Sequence, residues 1–320
     1  TVDRFHIKAQ SLSVDGHAMI AADGLPESIS LAGVVASPDG EPLLLPFGGL
    51  PTRIDHAQFE IDTAQDHGLA WMAKAVIAGL DRPDLAAETL ALSGSGRIER
   101  NTSGNSFDGT FDYSAGGLAP ADPALAKALG PALTGGFTLR FAAGDDSVQV
   151  SDISLLGKGL SGSGQVKIEG LSAAFLTTGS LAVSVDDLSR FDGLAGRPLG
   201  GRGEVRIAGS ASQLSGEVDG TVALSALGLR IGVDQIDRLL GGESSANLSV
   251  LRDGTGTTIR RLDLSAGPII ASMSGKVASA DVDLSGKVTI DDLSGLDPGY
   301  SGKAKLDITL SGKPESALIT

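Results

Sequence analysis

Cysteine is absent, which excludes disulfides and thiolate metal sites outright. Aromatic residues make up only 4% of the chain, so the large side chains that anchor most compact cores are scarce. Cations are outnumbered: 25 Lys and Arg stand against 39 Asp and Glu, a formal net charge of −14. That deficit argues against nucleic acid as a partner and against an electrostatic grip on anionic lipid. No apolar run reaches the roughly 18 residues a membrane-spanning helix needs. The longest apolar-leaning segment, Leu69–Leu80, is shorter and carries Lys74. No N-terminal stretch has the charged, apolar and small-residue sections of a signal peptide. Alternation is already running at Phe5 and Ile7, and a strand pattern still runs at Leu310. The sequence therefore predicts a piece of a longer chain, with its targeting signals elsewhere.

What is present is glycine, at 45 residues about twice ordinary usage, while proline stays at 13. Many tight turns and short strands follow. Period-two alternation dominates, and it is clearest after residue 160. The apolar phase runs through Val166/Ile168, Leu181/Val183/Val185, Val205/Ile207, Val222/Leu224, Leu229/Ile231 and Leu248/Val250. It continues through Leu262/Leu264, Val282/Leu284, Val288/Ile290 and Leu306/Ile308/Leu310. One dry face and one wet face per strand is the reading. In the first 100 residues the candidate strands are Arg4–Val14, His17–Ala22, Ser28–Ser37 and Arg53–Asp62, with a loop over 39–51. Leu69–Leu80 fits a helix, or two short strands broken near Lys74; Val76 and Ile77 favour strands.

An apolar-Ser-Gly step recurs, as at Leu92-Ser93-Gly94, Leu214-Ser215-Gly216, Met273-Ser274-Gly275 and Leu284-Ser285-Gly286. Its glycine suits a turn or a bulge. A longer unit repeats as well: a strand, an aspartate capping a short helix, a glycine, then another strand. It occupies Val183–Ile207, Leu229–Val250 and Val288–Leu310, with a looser copy in Phe111–Phe141, where Asp122-Pro123 opens a helix that Gly130 closes. Irregular spacing of such a unit fits a quasi-one-dimensional array.

Motifs that carry chemistry are weak. His6, His17, His56 and His67 lie near aspartates, but no metal-ligand spacing joins them. Gly157-Lys158-Gly159-Leu160-Ser161-Gly162 satisfies a dinucleotide pattern, yet a strand follows where a helix must start. Asp281, Asp283, Ser285, Gly286 and Asp292 have the spacing of a calcium loop, but strands flank them where helices are required. There is no nucleophile elbow and no phosphate loop. The sequence thus predicts no enzyme, no metal site and no cofactor.

Three phrases carry a family resemblance. Ala119–Pro131 (APADPALAKALGP), Asp187–Gly203 (DLSRFDGLAGRPLGGRG) and Asp84–Arg97 (DLAAETLALSGSGR) resemble the repeat style of the TamB family in its alphaproteobacterial form. Relatives in the AsmA-like, bridge-like lipid transfer group share that style. The resemblance implies a β-groove crossing the periplasm, in a protein anchored in the inner membrane. It also implies a TamA-like barrel of the outer-membrane assembly-factor family as partner. The roles implied are conducting phospholipid between membranes, assisting outer-membrane protein assembly and secretion with nascent outer-membrane proteins as partners, or both.

The residues point to a groove by a separate route. A sheet with one apolar face must bury it, and few aromatics or amphipathic helices exist to supply a second layer. The expected fold is all-β: an elongated, repetitive curled sheet (a β-taco, solenoid-like) with a few short helices at repeat junctions. Residues 1–110 form an N-terminal β segment, and 111–320 continue the groove, with junctions near 122–130, 187–203, 234–242 and 292–302. Roughly twenty strands about 4.8 Å apart would extend on the order of 100 Å. Such an interior suits phospholipid acyl chains; the alternative is a structural or adhesive β-solenoid with a filled interior. A membrane barrel needs aromatic girdles that Trp71, Tyr113 and Tyr300 are too few to make.

Overall fold

The computed structural model describes residues 2–20, 26–46, 49–65, 69–101, 104–173, 175–295, 299–313 and 318–319. The chain is 69% strand and 8% helix, with antiparallel pairing and no closure into a barrel. Contacts divide it into two units, Thr1–Lys158 and Gly159–Thr320. Residue 110, where the repeat style changes in the sequence, lies inside a strand of the first unit.

Unit 1 contains β1 (Val2–Lys8), β2 (Leu12–Ile20), β3 (Pro26–Ala36), the short β4 (Leu43–Leu44) and β5 (Arg53–Ile54), β6 (His56–Gln65) and β7 (Leu69–Asp81). It continues with β8 (Leu85–Asn101), β9 (Gly104–Gly116), β10 (Ala119–Pro120), α1 (Pro123–Leu129), β11 (Ala132–Ala142) and β12 (Ser147–Gly157). The long strands pair in the order β1-β2-β3-β6-β7-β8-β9-β11-β12.

Unit 2 is a plain meander: β13 (Leu160–Glu169), β14 (Leu176–Val185), α2 (Asp192–Ala195), β15 (Gly200–Ser212), β16 (Val218–Arg230), α3 (Asp234–Leu240) and β17 (Glu243–Asp253). Then come β18 (Gly256–Ala266), β19 (Ile269–Val277), β20 (Val282–Ile290), β21 (Ala304–Gly312) and β22 (Leu318–Ile319). Each strand pairs with the next.

Connections alternate between the two ends of the strands, and in unit 2 both α2 and α3 fall at the same end. In unit 2, α2, α3 and the turn at Asp292 join β14 to β15, β16 to β17, and β20 to β21. The opposite end carries short turns such as that at Gly216 (φ 70°). Among the described residues the buried apolar side chains are Ile54, Ala87 and Ala128 in unit 1 and Leu160, Ala266 and Val282 in unit 2.

Local chemistry explains the junctions. Asp122 caps α1 by accepting from the Ala124 and Leu125 amides (2.8 and 3.4 Å), Pro123 opens it, and Gly130 leaves it at φ 79°. Asp187 and Asp292 accept from the Ser189 and Ser294 amides in the same way, each at 2.9 Å. The third junction departs from the expected pattern. Asp234 is the first helical residue of α3, and its cap position is Val233, which offers no side-chain acceptor. Asp237 reaches back to the Ile231 and Gly232 amides (2.7 and 3.2 Å) and ties the helix to the end of β16.

Other expectations are corrected. Arg4–Val14 is not one strand: the Ala9 amide donates to the Leu12 carbonyl (2.8 Å), turning the chain from β1 into β2. Residues 21 and 22 of the candidate His17–Ala22 lie outside the described residues. The 39–51 loop carries β4, which pairs with β5. Leu69–Leu80 lies in a single unbroken strand, because Lys74 falls on the polar phase directly opposite Glu60.

Candidate functional site

Side chains opposite each other in an antiparallel ladder share a face, so register decides which of the apolar residues meet. In unit 2, Val166 and Ile168 lie opposite Gly179 and Thr177, on the face of Leu181, Val183 and Val185. Leu181 and Val183 oppose Ile207 and Val205, which in turn oppose Val222 and Leu224. Val222 opposes Leu248, Gly220 opposes Val250, and Leu248 opposes Leu262, with Leu264 one pair further along. Through Met273 and Ala271 the face reaches Val282, Leu284, Val288 and Ile290, then Leu306, Ile308 and Leu310.

Two of the residues expected there leave the regular ladder. Leu229 follows Gly228 (φ 64°) beside the irregularity where Gly201 (φ 90°) faces the chain, so it leaves the regular ladder. Ile231 lies beyond the end of β16, its amide held by Asp237. The face also holds residues that alternation alone did not single out: Leu160, Ile259, Ile269, Met273 and Val277. Ile259 was obscured by a bulge at Arg260, which shifts the phase of β18 by one residue. The adjacent pair Arg260-Arg261, breaking the alternation, is the signal that marks it.

No second layer covers this face throughout. Leu181, Ile207 and Leu224 are 44–46% exposed and Leu306 is 56% exposed. Across β18–β21 the face is concave and holds a cavity of about 340 Å³. Leu262, Leu264, Met273, Leu284, Val288, Ile308 and Leu310 line it. The opposite face is polar: Lys287 opposes Asp307, Lys276 opposes Asp283, and Ser225, Ser245 and Ser265 stand in a row.

The recurrent apolar-Ser-Gly step acquires a different meaning from the one expected. In β8, β13, β19, β20 and β21 it lies within the strand, its apolar residue and glycine both on the apolar face and its serine on the polar one. Its glycine stands opposite a larger apolar residue, as Gly162 does opposite Val183 and Gly286 opposite Ile308. Only some copies, such as Leu214-Ser215-Gly216, are turns.

Unit 1 also has an apolar face, built differently. Phe5, Phe59, Trp71, Phe107, Phe111, Tyr113, Phe137 and Phe141 all belong to it by register. Four of these rings, Trp71, Phe107, Phe111 and Phe137, form a contiguous patch. Trp71 lies 5.4 Å from both Phe107 and Phe111, and Phe111 lies 5.0 Å from Phe137. Low aromatic content hid this concentration; the period-two spacing of Phe111 and Tyr113 and the repeated Phe137/Phe141 carried the signal.

The remaining chemical candidates are dispersed. His6 pairs with Asp15 across β1–β2 at 2.7 Å, His17 and His56 lie on β2 and β6, and His67 lies outside the described residues. Val282–Ile290 runs as β20, in register on both sides, so 281–292 is not a calcium loop. Among the described residues no group of three or more His, Cys, Asp or Glu is placed to hold a metal ion. The shifted carboxylates have local causes. A hydrogen bond from Arg260 holds Asp219 below the usual range, and Arg82 does the same for Asp84. Thr255 and Ser294 lower Asp253 and Asp292.

Fold and site together define open antiparallel β-structure in which each unit has an apolar face of its own, aromatic in unit 1 and aliphatic in unit 2. No family model matches the chain, and neither does any curated protein or solved structure.

Proposed function

We propose that this chain is part of a TamB-like protein of the periplasm, and that the apolar face of unit 2 carries phospholipid acyl chains. The observation that supports this is the aliphatic face running from β13 to β21 without a continuous covering layer. So much apolar surface left in water calls for an occupant. The cavity across β18–β21 lies in the size range of small-molecule sites and is lined by Leu, Val, Ile and Met. Few polar groups converge on it, as suits a chain held without fixed orientation. In this reading the full protein is anchored in the inner membrane and meets a TamA-like barrel, and it serves lipid transport, outer-membrane protein assembly or both. The repeat phrases around Asp122 and Asp187 support that assignment.

Purification of the chain from cells with an outer membrane, followed by mass spectrometry of bound lipid, tests the acyl reading. Phospholipid in stoichiometric amount is the expected result; a lipid-free protein with unchanged fold refutes it. The rival reading, a structural β-solenoid with a filled interior, draws support from the ring-packed face of unit 1 and predicts the lipid-free outcome.

A further inference from the structure

The two apolar faces differ in one physical respect: over the Trp71–Phe137 patch of unit 1 the sheet's own rings fill the face, although Leu92 beside it is 47% exposed. In unit 1 the rings lie flat on glycines of neighbouring strands. A Cβ at Gly94 would stand 2.7 Å from the Phe111 ring and 3.1 Å from the Trp71 indole. At Gly109 it would stand 2.6 Å from Trp71 and 2.9 Å from Phe107, and at Gly33 only 2.2 Å from Phe59. The rings thus occupy the space that a Cβ would otherwise take, as aromatic residues do over glycines in sheets. Stacking joins Trp71, Phe107, Phe111 and Phe137 into one pavement. The indole Nε1 of Trp71 is buried, with no hydrogen-bond partner among the described residues. Unit 2 has no counterpart among the described residues: Phe175, Phe191 and Tyr300 all sit in connections.

We propose that the aromatic pavement of unit 1 excludes acyl chains, so that lipid is held by the aliphatic face of unit 2 alone. This inference rests on the acyl reading and adds a selectivity to it, with Trp71, Phe107, Phe111 and Phe137 as the residues that refuse the chain. An acyl chain entering here must lift stacked rings off their glycines and forfeit close packing. On the unit 2 face it meets an existing cavity.

The sequence makes the test direct. Trp71 is the sole tryptophan, and with no native cysteine a Leu306→Cys variant takes a single fluorescent dye beside the unit 2 cavity. The probe is a lysophosphatidylcholine with a dibrominated acyl chain, whose bromines quench by contact; its zwitterionic head avoids repulsion by the chain's −14 charge. The expected result is quenching of the dye with Trp71 emission unchanged. In Phe111→Ala, with strand content verified by circular dichroism, Trp71 becomes quenchable. Quenching of Trp71 in the unsubstituted protein together with the dye overturns the exclusion and leaves the acyl reading standing. Quenching at neither position removes the acyl reading, and the inference falls with it.

Discussion

At Gly109 and Gly116, two glycines of the same strand differ in what surrounds them. A methyl group at Gly109 meets Trp71 and Phe107 within 3 Å, whereas at Gly116 it meets nothing within 4 Å. Gly109→Ala is therefore expected to destabilise unit 1 by about 1–3 kcal/mol through overpacking. Gly116→Ala should be neutral or stabilising by about 0.4–1 kcal/mol, since it only restricts the unfolded chain. Urea denaturation followed by Trp71 fluorescence measures both. Charge pairs on the polar face act on a smaller scale. Arg260 donates to both carboxylate oxygens of Asp219 at 2.6 and 2.8 Å, lowering the Asp219 pKa from its ordinary value of 3.8. A lowered folded-state pKa means stability that is complete above the unfolded value and lost as pH falls through the folded one. Asp219→Asn should therefore lose this small stabilisation at neutral pH and converge on the unsubstituted protein as pH falls below 3.8. Because the pair is exposed, salt should shrink the difference. An acid titration of both proteins at low and high salt checks the sign.

Single elements differ in how they are held. α1 has the aspartate cap, the proline start and the glycine end, at positive φ, that its sequence announces. Asp122→Ala should cost about 0.5–2 kcal/mol, the usual penalty for an emptied cap. α3 lacks a side-chain cap and depends on Asp237 holding two amides of the preceding segment. Hydrogen exchange should find the amides of α3 opening more readily than those of α1. In Asp237→Ala the Ile231 and Gly232 amides should lose protection while α1 is unaffected. Equal protection of the two helices would contradict this account. Strands follow a simpler rule: Lys74 does not break β7, because an exposed face accepts a lysine opposite Glu60.

For the acyl-binding role proposed above, the decisive contrast lies between neighbours on opposite faces of one strand. Val288 lines the unit 2 cavity, and Thr289 points to the other side of β20. Val288→Asp places a carboxylate among acyl carbons, where desolvation opposes its charge. Acyl binding should weaken roughly 10-fold or more, a cost of at least about 1.4 kcal/mol. Thr289→Asp should bind as the unsubstituted protein does. Titration with the brominated lysolipid, with circular dichroism to verify the fold, distinguishes them; equal affinity would count against the acyl reading.

Alternation by itself determined the all-β class, the strands of unit 2 and nearly all of their apolar phase, because a period of two needs no knowledge of partners. The Asp-Pro start and Gly end of α1 were likewise local, since capping is settled within a few residues. Register, bulges and ring packing were decided by tertiary structure. Leu229 and Ile231 alternate in sequence as well as their neighbours do, yet the irregularity at Gly201 and Gly228 and the tether from Asp237 take them out of the ladder. Ile259 joins the apolar face only because Arg260 bulges. The aromatic pavement depends on which glycine of one strand stands beside which ring of the next. That pairing joins residues as distant as Trp71 and Phe111, and no local pattern in the chain encodes it.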